Sequence, residues 1–105
     1  MAKIIVFITV PSAAEASRIS NVLLKSRLAA CVSTLKGVDS AYWWKGKIEK
    51  SKELLLTVKS DSRLLAKIIR TVKQNHSYDV PEIVAVTIAG GNEDYLKWII
   101  DSINI

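Results

Sequence analysis

The chain has 105 residues, half of them hydrophobic, which is enough for one compact domain over residues 1–105 with a core of its own. Fifteen Lys and Arg stand against ten acids, giving a net charge of +5 that is spread through every segment rather than gathered in a block. One cysteine, Cys31, excludes an intrachain disulfide framework, and no apolar run approaches the ~20 residues of a membrane span; a cytoplasmic protein without membrane contact is expected.

The first strand is read over Lys3 to Val10, continuously apolar and β-branched, as in a strand buried on both faces. Pro11 stops it, and Ser12 with Glu15 three residues on forms a capping box that starts a helix at Ala13. Ala16, Ile19, Leu23 and Ser26 define its inward face, and it ends near Ser26 or Arg27. A second strand begins around Ala30, bends at Lys36-Gly37 and continues through Tyr42-Trp43-Trp44. Lys45-Gly46 is the turn, and the return strand runs from Lys47 to Lys59. Ser60 or Asp61 caps the next helix, with Leu64, Leu65, Ile68, Ile69 and Val72 at helical spacing and an end near Asn75 or His76. Ile83 to Ile88 is a fourth strand. Asn92 or Glu93 then opens a last helix with Tyr95, Leu96, Ile99, Ile100 and Ile103 on one side.

The order βαβ, βαβ, then α is that of an α+β, ferredoxin-like (split β-α-β) sandwich with a long β2-β3 hairpin and an extra C-terminal helix. Each hairpin arm reaches about 45 Å at the rise of an extended strand, whereas the longer helices span only about 20 Å. One chain cannot cover such a ribbon, and its far end carries large apolar rings. We expect Tyr42, Trp43 and Trp44 to pack against a second copy.

The charge balance raises nucleic acid as a partner. A recognition module of this layout needs aromatics on the third strand, and Glu53 to Lys59 has none, so no nucleic-acid partner is expected. No glycine loop follows the first strand to cradle a phosphate. In His76-Ser77-Tyr78-Asp79-Val80-Pro81-Glu82 the sole histidine precedes acids, and imidazole with carboxylate can share a divalent cation; alternatively His76 simply caps a helix C-terminus. Cys31 reads as a buried small thiol rather than a nucleophile. Lys59, at a strand end, can meet an anionic ligand or water.

The segments Arg27 to Val32, Ser40 to Ile48, Glu53 with Thr57-Val58-Lys59, His76 to Ile83, and Tyr95 to Trp98 resemble the CutA family of divalent-cation tolerance proteins, over nearly the whole chain from Ile4 to Ile100. The resemblance implies a ferredoxin-like subunit of a homotrimer similar to the PII signalling proteins, with hairpins pairing between neighbours. It implies a non-catalytic role in the response to copper and similar divalent ions, with copper or zinc as the ligand. It places a ligand cleft between subunits at Tyr42, Trp44, Lys59 and Tyr78, with His76 and Glu82 as metal donors. Where family members proposed to bind copper carry a cysteine and a histidine pair, this chain has Ile8 and Asn75-His76. The alternative is a small-ligand enzyme using His76 as general base in the same inter-subunit cleft.

Overall fold

The structure, a computed structural model, describes residues 2–105. Strand β1 (Lys3–Val10) turns Ile4, Val6, Ile8 and Val10 inward, each at most 3% exposed, while Ile5 and Phe7 on its other face are only half-buried. The continuous apolar run therefore finds cover on one face only within a single chain. Helix α1 (Ala13–Lys25) is capped by Ser12, whose hydroxyl accepts from the Glu15 N–H at 3.2 Å. The capping box is only half made, because the Glu15 side chain leaves the helix end for another partner. Ser26 is exposed and its hydroxyl turns back to the Val22 carbonyl, so the inward face stops at Leu23. Arg27 then takes φ +60, and the Leu28 and Ala29 N–H groups both close on the Leu23 carbonyl, ending the helix in a left-handed turn.

Strands β2 (Cys31–Trp44) and β3 (Lys47–Asp61) form one long antiparallel hairpin. Its turn, Lys45-Gly46, has φ of +50 and +78, the paired positive angles that match the twist of a two-residue hairpin. The expected irregularity at Lys36-Gly37 is a bulge: Leu35 pairs Leu55 and Val38 pairs Glu53, so two residues face one, with Gly37 at φ +75. Because side chains alternate with period two, the extra residue exchanges the faces beyond it. Ser40, Tyr42 and Trp44 thus share a face with Ser51 and Glu53, and Trp43 points the other way.

Asp61 caps one turn of 3-10 helix, Ser62–Leu64, that the sequence reading had merged with the next helix; α2 proper is Leu65–Asn75, burying Ile68 and Val72. Strand β4 (Ile83–Thr87) and helix α3 (Glu93–Ser102), capped by the Asn92 side chain, complete the chain. All pairings are antiparallel in the order β2-β3-β1-β4, the ferredoxin-like arrangement expected. One apolar cluster joins β1, Leu56 and Val58 of β3, Ile19 and Leu23 of α1, and Ile68 and Val72 of α2. On the far sheet face, Leu35, Val84 and Val86 are exposed, although Tyr95 of α3 lies beside Cys31 at one end. Tyr95, read on the apolar side of the last helix, is 41% exposed and stacks on Trp98, itself 44% exposed.

Candidate functional site

The connection between α2 and β4 is fastened to the sheet by His76. Asn75 ends the helix, His76 takes an extended conformation, and its ring is fully buried. Nε2 donates to the Thr9 carbonyl at 2.7 Å, while Nδ1 lies 3.1 Å from the Tyr78 N–H and 3.2 Å from Glu15 Oε2. The same Glu15 oxygen accepts from the Ser77 N–H, and Arg18 stands 3.5 Å from its other oxygen. This explains why Glu15, in the first turn of a helix, is only 5% exposed. Its carboxylate ties α1 to the start of the connection instead of returning to its own helix end.

Fastening at His76 sets the position of Tyr78. The two rings lie 4.8 Å apart, and the Tyr78 hydroxyl donates to Glu53 Oε2 at 2.8 Å. Burial, then the Glu53 carboxylate, pushes the Tyr78 phenol far above its usual range, so Tyr78 stays a donor. Glu53 is 6% exposed, in the middle of a strand that continues Leu54-Leu55-Leu56. On the same face, Tyr42 bonds Ser51 at 3.2 Å along the hairpin.

Between the hairpin and the connection opens a cleft of ≈ 830 Å³. Of the expected ligand residues, Tyr42, Trp44, Tyr78 and Glu82 line it together, as does Trp43. Lys59 does not join them: it pairs Ile5 and Cys31, away from the cleft. His76 stands behind Tyr78 with both ring nitrogens engaged. That corrects two expectations, since neither a metal nor a substrate finds a free imidazole nitrogen there. Among the described residues no group of three or more His, Cys, Asp or Glu side chains is placed to hold a metal ion. A closed copper or zinc site does not fit the donors of one chain. Sequence reasoning passed over Glu15, read as a cap, and Glu53, read as strand. An acid flanked by a triple leucine run is the signal that marked Glu53.

The antiparallel order, the bulged long ribbon and the fastened connection define a ferredoxin-like α+β fold with an open cleft at the root of its hairpin. Residues 4–102 match the family model described as CutA1 divalent ion tolerance protein. The chain is 46% identical to the divalent-cation tolerance protein CutA of Thermus thermophilus over 90% of this chain and 92% of that protein. It is 42% identical to the chloroplastic protein CutA 1 of rice, over 94% of this chain but only 56% of that protein, so it spans about half the length of the plant relatives it matches. The crystal structure of rice CutA1 superposes with a TM-score of 0.95 at 40% identity, covering 99% of this chain and 95% of that one. The Thermus thermophilus structure gives 0.95 at 43%, covering 97% and 99%. The chain belongs to the CutA divalent-cation tolerance family.

Proposed function

We propose that the chain is a subunit of a homotrimeric, PII-like binding protein that serves the response and tolerance to divalent metal ions in the cytoplasm and catalyses no reaction. One observation carries the reading: residues 41–50, the whole hairpin end, are exposed, with Trp43 at 73% and Ile48 at 62%. Such a surface is a liability in a lone subunit and an interface in an assembly. The half-covered sheet face, with Leu35, Val84 and Val86 in the open, supports the same conclusion. Identical neighbours clasp the ribbon, and Tyr42, Trp43 and Trp44 anchor it. In that assembly a neighbour brings further walls to the cleft, and Lys59 stays outside it, as in the single chain.

The metal relevance comes from the family. Copper or zinc is proposed to reach the cleft through Glu82 and carboxylates near it, not through His76 as folded. The enzyme alternative loses its base with the burial of that ring, and neither nucleic acid nor membrane is proposed as a partner. Sedimentation and light scattering test the assembly: a trimer persisting on dilution to nanomolar concentration is expected, and a stable monomer would overturn the reading. Calorimetric titration of copper and zinc tests the ligand. Weaker binding in Glu82→Gln than in wild type is expected, and indifference to both metals removes the metal as direct ligand.

A further inference from the structure

Three acids of this chain are almost completely buried, and two of them have a cationic side chain at hand. Asp61 holds Arg63 at 2.9 Å, and Glu15 lies between Arg18 and His76. Glu53 is the exception. It forms no ion pair among the described residues, and its one polar partner is the neutral Tyr78 hydroxyl at Oε2. The other carboxylate oxygen has no partner, and since among the described residues no fully buried side-chain oxygen is unpaired, that oxygen keeps contact with the open cleft.

The cleft repeats the theme. Asp39, Glu53, Asp79 and Glu82 line it, with no lysine or arginine, on a chain whose net charge is +5. Asp39 is already neutralised by Lys52 at 2.9 Å. Rings of Tyr42, Trp43, Trp44 and Tyr78 line it as well, beside apolar Val80 and Pro81. A ring face of Trp44 already accepts an ammonium, with Lys45 Nζ 5.9 Å from its centroid. The acids do not converge as metal ligands must. A planar organic cation asks for what is present: a carboxylate edge for its N–H groups, aromatic faces to stack on, and room for an apolar tail. The volume, ≈ 830 Å³, is that of a small-molecule site rather than of a bare ion.

We infer that the cleft at Glu53 binds a small organic cation, a guanidinium or protonated amine on a short carbon chain, paired to Glu53 and stacked on Tyr42 and Trp44, with Asp79 and Glu82 at the rim. This names the small-molecule ligand of the cleft interior, distinct from a metal at the Glu82 rim, and rests on the reading of the cleft proposed above. The neighbouring copy then supplies walls, not the counter-charge.

Butylguanidinium and its neutral isostere butylurea decide the matter, followed by tryptophan fluorescence on the full chain, with sedimentation run on the same samples. Saturable quenching by butylguanidinium and none by butylurea is expected. In Glu53→Gln, which keeps an acceptor for Tyr78, affinity should fall about ten- to a hundredfold with unchanged assembly. Equal responses to both probes, no saturation in wild type, or wild-type affinity in Glu53→Gln would each overturn the inference. So would dissociation of the Glu53→Gln assembly in a protein that ignores the probe, which makes the missing cation a neighbour's side chain. Should Glu53→Gln fail to fold, exposed Glu82→Gln decides: severalfold weaker binding supports the site, and unchanged affinity overturns it. A monomer that binds butylguanidinium removes the trimer and leaves this inference standing; a trimer that does not bind it does the reverse.

Discussion

Asp61 and Glu15 are buried and Tyr78 is partly so, and each of these polar groups is held by a different partner. For Asp61 the Arg63 guanidinium, donating to both carboxylate oxygens, holds the acid below its ordinary 3.8. Its stabilisation is complete above that value and is lost as pH falls through the folded value, where the native state must take up a proton. Asp61→Asn should therefore flatten the acid limb of stability against pH, measured by urea midpoints below pH ~4. Tyr78 works at the opposite end. Its folded value lies above its ordinary 10.0, so its contribution is present below that pH and is lost as pH rises beyond it. Tyr78→Phe should remove that alkaline loss and leave Glu53 without its donor. For Glu15, truncation to Ala strands the Ser77 N–H and removes the carboxylate beside the His76 ring. We expect a cost of about 1–3 kcal/mol by urea unfolding at fixed protein concentration, typical of buried groups deprived of a partner. An unchanged midpoint would show that the connection is not fastened there.

At the scale of elements, the hairpin is governed by two glycines with positive φ. Gly46 closes the turn, and Gly37 permits the bulge. Neither has a neighbouring atom that a methyl group would strike, so the cost of Gly46→Ala is backbone strain alone, about 1 kcal/mol, read as a lower melting temperature. Gly37 does more, because its bulge sets which aromatics face Glu53. Both features were legible in the sequence, as a mid-strand glycine and a Lys-Gly pair between β-rich runs. What the bulge does to the faces was not legible. The alternation of Tyr42, Trp43 and Trp44 reads the same in either register, and only the pairing of Val38 with Glu53 selects one. The 3-10 turn after Asp61 escaped notice for a related reason: the apolar spacing of Leu64 and Leu65 fits either helix type over so short a run.

For the whole molecule, the longest dimension is 44 Å, close to the reach of a single hairpin arm, against 25 and 22 Å across. The long-range geometry is thus that of a body with a ribbon extending from it. If copies hold that ribbon, stability must depend on concentration, and the melting temperature should rise with dilution reversed. Trp44→Ala, 40% exposed in the single chain, should weaken assembly by a few kcal/mol in dilution sedimentation, as truncation of aromatic anchors does. Unaltered trimer content in that variant would remove Trp44 from the interface.

Strand and helix order, the hairpin turn, the bulge position, the inward face of α2 and that of α1 as far as Leu23 followed from the sequence by itself, because each depends on local periodicity and on backbone angles open to few residues. Glu15 leaving its own helix for Ser77, His76 losing both nitrogens to the backbone around it, and Glu53 facing a cleft without a counter-ion belong to the tertiary structure. Apart from the Tyr78 N–H, two residues from His76, those partners lie 25 to 67 residues apart in the chain. A buried polar side chain is decided by what stands opposite it, and no spacing rule along one strand or helix carries that information.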